Sequence, residues 1–107
     1  MIDDCIKQID NRQSTIFNMK LTRRVIIPNE LGLHAHAAGK IARLAEGARS
    51  EVYIVKDGQE ADAKSILDVM ALYCPCGTEV VVKITGPGDV KVLNRIVRLI
   101  ETGFGEL

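Results

Sequence analysis

Gly32-Leu33-His34-Ala35-His36-Ala37-Ala38 sets a histidine directly in front of an alanine-rich, helix-forming run, after a strand-like stretch closed by Pro28-Asn29-Glu30. Imidazole titrates near neutrality, so a large share of it is neutral and nucleophilic at physiological pH. A phosphate on His34 would meet the start of that helix, where the first backbone N–H groups lack intrahelical acceptors and the macrodipole is positive. The chemistry this arrangement suits is transient phosphoryl carriage. His36, two positions on, falls inside the first turn, and its side chain points away from the free N–H groups. It is therefore a rival acceptor of lower rank and a candidate helper.

A second constellation is Ala63-Lys64-Ser65-Ile66-Leu67-Asp68. A serine followed three places on by an acidic residue resembles a capping box, so a short helix is expected to start at Ser65 with its hydroxyl on orphan N–H groups. Cys74-Pro75-Cys76 has neither a second cysteine pair at zinc spacing nor a histidine close in sequence, and it reads as a reduced turn. His34 and His36 with that distant pair offer no convergent ligand set, so no metal site and no cofactor are expected.

These residues need a scaffold, and the patterning supplies one. Residues 19–27 read as a strand ended by Pro28, which has no N–H for a ladder. Ala35, Ala38, Ile41, Ala42 and Ala45 recur at helical spacing up to Gly47, with Lys40 and Arg43 outside the stripe. Residues 50–56 and 60–63 flank Asp57-Gly58, a favoured two-residue hairpin turn. After the short helix at Ser65, residues 78–85 read as a buried strand, broken by Gly86-Pro87-Gly88-Asp89. Val90, Leu93, Val97 and Ile100 then mark a helix closed by Gly103. The order βαββαβα predicts an α+β open-faced sandwich, a four-stranded antiparallel sheet with helices on one face.

The totals exclude other classes. The chain of 107 residues and fourteen basic against fourteen acidic side chains fits one domain without a global field for nucleic acid or anionic membranes. Four aromatics, Phe17, Tyr53, Tyr73 and Phe104, leave no aromatic-basic interleaving for stacking bases. No run approaches the roughly 20 apolar residues of a membrane span. The opening Asp3-Asp4 does not fit a signal peptide, so a cytoplasmic location is expected. Residues 1–18 lack strand-like alternation and carry only Ile2, Ile6 and Ile9 at helical spacing. They are read as an N-terminal extension to a domain over residues 19–107, either a docking arm, a frayed tail or an upstream start.

The element order, the Gly32-Leu33-His34-Ala35 loop and the Ala63-Lys64-Ser65-Ile66-Leu67 helix start together resemble the HPr family of bacterial phosphocarriers over about residues 19–103. That resemblance implies that His34 accepts a phosphoryl group, on Nδ1, from phosphorylated enzyme I. It passes the group to a downstream permease component or regulatory phosphotransferase protein. The protein would then be a phosphorylated intermediate, not a stand-alone enzyme, acting as a monomer in the cytoplasm. Ser65 matches the serine modified by an HPr kinase/phosphorylase in many bacteria. Partners are expected on an apolar patch of Leu33, Ile66, Leu67 and Met70 with a basic fringe of Lys40, Arg43 and Lys64.

The chain departs from the family pattern beside the acceptor. Ala35-His36-Ala37 stands where the family usually has threonine or alanine, then arginine, then proline. An arginine there would meet the phosphoryl oxygens with a permanently charged fork, whereas His36 offers a positive donor only when protonated. Loss of the proline returns a backbone donor to the first turn. Arg24 and Arg43 are the candidates to compensate. The departure also leaves open a binding module switched at Ser65 with weak or absent phosphotransfer. The downstream acceptor, in a sugar or a nitrogen-linked branch, is not specified by these residues.

Overall fold

The computed structural model describes residues 21–106. The expected extension over residues 1–18, Cys5 and the opening Met19-Lys20 of the first strand lie outside the described residues. Within them the chain runs β1 (Thr22–Ile26), α1 (Ala35–Ala45), β2 (Val52–Lys56), β3 (Gln59–Asp62), α2 (Ile66–Ala71), β4 (Glu79–Ile84) and α3 (Val90–Glu101). The strands form one sheet in the order β1-β4-β2-β3, with every neighbouring pair antiparallel. This is the α+β open-faced sandwich that the patterning predicts.

Alternation in the strands decides which face is covered. Val25, Val52, Ile54, Ala61, Val80, Val82 and Ile84 are buried, while their neighbours Arg24, Ile26, Tyr53, Val55 and Lys83 lie on the open face. Over the buried face α1 lays Ala37, Ala38, Ile41 and Ala45, and α3 lays Leu93, Ile96, Val97 and Ile100. The alanines let the α1 backbone approach closely. Asp57 (φ 50°) and Gly58 (φ 82°) both take the left-handed conformation, as a two-residue hairpin turn between β2 and β3 requires.

At the end of the sheet remote from His34, Asp89 is 5% exposed and accepts from the N–H groups of Arg49 (3.0 Å) and Ser50 (2.8 Å) and from the Ser50 hydroxyl. The Ser50 hydroxyl, with the two N–H donors, holds its carboxyl below the ordinary range. The entry to β2 is thereby tied to the start of α3.

Two connections at the opposite end build the site. The loop after β1 turns at Gly32 (φ 69°), and the Leu33 N–H donates to the carbonyl of Cys74 (2.9 Å). The Cys74-Pro75-Cys76-Gly77 turn is thus the buttress of the histidine loop. Its Cys74 is buried, which pushes the thiol pKa up, and Cys76 is exposed. Beyond α3, Gly103, Phe104 and Gly105 are all left-handed (φ 67°, 58° and 78°), so the chain reverses and drives the Phe104 ring fully into the core. Lys40 fastens that reversal by donating from Nζ to the Phe104 carbonyl (2.7 Å).

Candidate active site

His34 is the N-cap of α1, in extended conformation, and its ring nitrogen replaces the usual capping oxygen: Nδ1 accepts from the His36 N–H at 3.3 Å. The first intrahelical bond runs from the Ala38 N–H to the His34 carbonyl (2.9 Å). The N–H groups of Ala35, His36 and Ala37 therefore precede the helical ladder, and that of His36 is already on Nδ1. The missing proline matters here, because position 37 keeps its N–H.

The other ring nitrogen is also engaged. Nε2 lies 2.6 Å from Glu106 Oε2, and Glu106 Oε1 accepts from Asn29 Nδ2 at 3.0 Å. Asn29 Nδ2 also donates to the Gly32 carbonyl (2.9 Å), inside the histidine loop. The carboxyl of Glu106 is held below its ordinary range, first by the Asn29 amide and next by His34. A carboxylate can only accept and a backbone N–H can only donate. Both contacts of the neutral ring are satisfied by one tautomer, with the proton on Nε2 and the lone pair on Nδ1.

His36 is exposed, with its ring 6.2 Å from that of His34 between centroids and nearly parallel to it. It is adjacent to His34 and carries no permanent charge. Neither arginine stands in for the missing one. Arg43 lies two and a half turns down α1, about 13 Å along the axis, in a shallow concavity with Lys40, Leu44 and Leu99. Arg24 is on the open face of the sheet, paired with Glu79 at 3.8 Å.

Ser65 caps α2, its hydroxyl accepting from the Asp68 N–H at 3.2 Å. Next to it Ile66, Leu67 and Met70 are exposed, and Met70 helps line a concavity of about 340 Å³ that reaches His34. Two of the residues expected at this surface sit differently. Leu33 is only 6% exposed, so it supports the patch from beneath, and the exposed apolar groups are instead Leu31 (69%) and Tyr73 (74%). Lys40 spends its ammonium on the Phe104 carbonyl, whereas Lys64 is exposed.

Sequence reasoning missed Asn29 and Glu106. A signal for Glu106 existed in Gly103-Phe104-Gly105, an aromatic between two glycines just past a helix, which needs burial and so turns the chain back. Asn29 looked like an ordinary turn residue after Pro28. Among the described residues no group of three metal-ligating side chains converges, and no helix is long and apolar enough to cross a membrane.

Comparisons with known proteins agree with this geometry. Residues 21–102 match the family model described as the PTS HPr component phosphorylation site. The chain is 38% identical over 86 residues to the phosphocarrier protein HPr of Cupriavidus necator, covering 80% of this chain and 97% of that one. It is 35% identical over 89 residues to the phosphocarrier protein NPr of Escherichia coli K12, covering 82% and 99%. A crystal structure of HPr from Thermoanaerobacter tengcongensis superposes with a TM-score of 0.76 at 32% identity, over 83% of this chain and 99% of that one. The strand order, the histidine at the helix start and these similarities lead to one assignment: the chain belongs to the HPr family of phosphocarriers of the phosphotransferase system.

Proposed function

We propose that His34 is the phosphoryl acceptor and that its Nδ1 takes the group from phosphorylated enzyme I, then yields it to a downstream phosphotransferase component. One observation carries this reading: Nδ1 faces the free N–H groups of the first turn of α1, with the His36 N–H already on it. In-line attack by the Nδ1 lone pair forms the new N–P bond as the donor's bond to phosphorus breaks, and the transferred oxygens are received by oriented backbone donors. His36 assists from beside the ring. No cofactor is needed within this chain, because the leaving and entering atoms are both imidazole nitrogens. Ile66, Leu67, Met70 and Lys64, with Leu31 and Tyr73, form the docking surface for enzyme I and the downstream partner. Leu33 serves it from below, and Lys40 and Arg43 lie on the outer side of α1.

The test is incubation of the full chain with phosphoenolpyruvate, Mg²⁺ and enzyme I, followed by intact-mass and acid-lability analysis. An acid-labile phosphate present in wild type and in His36→Ala but absent in His34→Ala is the expected result. Absence of that phosphate from wild type, with the donor shown to be active, overturns the proposal. A second reading is favoured by the placement of Ser65 at the N-cap of α2, beside the exposed Ile66, Leu67 and Met70. Phosphorylation there by an HPr kinase/phosphorylase would add about two negative charges to the rim of an apolar surface and switch docking. Phosphate on Ser65, removed by Ser65→Ala, without any on His34 would favour that module.

A further inference from the structure

We propose that Asn29 and Glu106 act as a positioning pair for His34: together they hold the proton on Nε2, leave Nδ1 as the nucleophile and offset the ring charge that develops during transfer. The inference rests on His34 being the acceptor. When the neutral ring attacks through Nδ1, the product carries phosphorus on Nδ1 and a proton still on Nε2, and the ring has become an imidazolium. The positive charge is delocalised onto the N–H that faces the Glu106 carboxylate at 2.6 Å. In the return step the same proton makes the imidazole a better leaving group. An anion at the far edge of the ring therefore lowers the barrier to acceptance without approaching the phosphoryl oxygens at the Nδ1 edge, and by keeping the proton on Nε2 it lets the ring leave as a neutral imidazole in the return step.

Three features argue that the pair is more than a helix-end contact. First, Asn29 is fully buried, and among the described residues its Oδ1 has no hydrogen-bond partner. A buried carbonyl left unpaired destabilises the fold. What this side chain supplies in exchange is an amide with two donors aimed at two acceptors, the Gly32 carbonyl and Glu106 Oε1. It thus links the loop that carries His34 to the carboxylate that binds His34. Second, Glu106 is delivered by the three successive left-handed residues Gly103, Phe104 and Gly105, where Phe104 is a non-glycine residue held there by burial of its ring. Third, the Lys40 ammonium fastens this reversal from α1, the helix that His34 caps. The acceptor loop, α1 and the chain after α3 thereby share one hydrogen-bonded assembly.

Glu106→Gln and Asn29→Ser in the full chain test the pair. In Glu106→Gln a single carbonyl oxygen faces two donors, and the new amide opposes the Asn29 amide, so one contact must break. Glu106 is at the surface, so the fold should survive; thermal unfolding checks it. Two readouts are taken: the ring ¹⁵N shifts and Nε2 proton signal of unphosphorylated His34, and the rate of phosphoryl acceptance from enzyme I. The wild type should show an Nε2–H tautomer with a downfield, exchange-protected proton. Both variants should lose that protection and accept phosphate about tenfold more slowly. That is below the hundredfold or more of a fully enclosed acid–base group, because His34 and Glu106 retain 28% and 25% side-chain exposure. An unchanged ring spectrum with a rate within twofold of wild type overturns the proposal. Wild type that gains no phosphate on His34 refutes the acceptor reading instead, and the ring spectra still decide whether the pair sets the tautomer.

Discussion

Gly32→Ala is the substitution whose cost the geometry sets most directly. At φ 69° an alanine carries the left-handed penalty of roughly 1–2 kcal/mol. Its Cβ would also stand 2.5 Å from the Cys74 carbonyl oxygen and 2.9 Å from Pro75 Cα, both backbone atoms that cannot swing aside. Relief requires the histidine loop to retreat from its buttress by close to an ångström, about the shortfall from ordinary contact. That motion stretches the Leu33 N–H bond to Cys74, 2.9 Å in the native loop. Overpacking of this kind costs about 1–3 kcal/mol, so with the backbone penalty the total is about 2–5 kcal/mol. Gly58→Ala is the internal control. It too is left-handed, at φ 82°, but nothing lies within 4 Å of its added Cβ, so only the backbone penalty applies. Thermal unfolding of the two variants should place Gly32→Ala lower by about 10 °C, at the several degrees per kcal/mol usual for a domain of this size. Equal midpoints would refute the steric reasoning, since the backbone contribution is common to both.

Two further outcomes follow from the same geometry. Asp89 has its carboxyl held below the ordinary range by the Ser50 hydroxyl and the Arg49 and Ser50 N–H groups. A folded pKa below the unfolded one adds stability that is fully present above the unfolded value, near 4. That stability is lost as the pH falls through the folded value. Urea midpoints measured from neutral to about pH 3 should therefore fall for wild type, and Asp89→Asn should start lower and show a shallower acid slope. Ser65→Ala removes the hydroxyl that caps α2 and should lower stability by about 1 kcal/mol in urea unfolding, while the ring spectrum of His34 stays unchanged.

Much of the fold was legible because each element carries its own punctuation. Pro28 ends β1, Asp57-Gly58 turns the hairpin, Ser65 caps α2 and the Gly86–Asp89 run separates β4 from α3. His34 was legible for the same local reason: a polar residue in front of an alanine-rich stripe announces a helix start. The rest of the site depends on contacts between residues far apart in sequence. Glu106 meets His34 across 72 positions and Asn29 across 77, and nothing in the composition around either residue encodes its partner. Leu33 illustrates a different gap. A leucine beside a histidine that caps a helix looks like surface, yet its N–H is fixed on Cys74 and its side chain belongs to the buried core cluster. Tyr73 reaches the surface because it adopts φ 56° just after α2, with Lys56 Nζ bonded to its carbonyl (2.5 Å) and to that of Leu72 (3.1 Å). That conformation is held by a lysine of β2.

The departure at position 36 acquires a physical meaning from these contacts. A guanidinium two residues after His34 would bring five permanent donors in a planar fork, and Glu106, which already feels His36, is a carboxylate for it to grip. It would compete directly with His34 Nε2 for that oxygen. His36 brings one donor when neutral and is stacked beside His34 without displacing it, so the Glu106 carboxylate remains shared between His34 and Asn29. The alanine at position 37 acts in the same direction, since it keeps a backbone N–H in the first turn of the helix that His34 caps, where a proline would have none. Charge that the family pattern concentrates in one mobile side chain is divided in this chain. Oriented amides stand at the edge that would receive phosphate, and a positioned carboxylate stands at the edge that keeps the proton. Such a division ties the Nε2 contact of His34 to the packing of Phe104 and the Lys40 anchor, so damage to the reversal after α3 would reach the ring through Glu106.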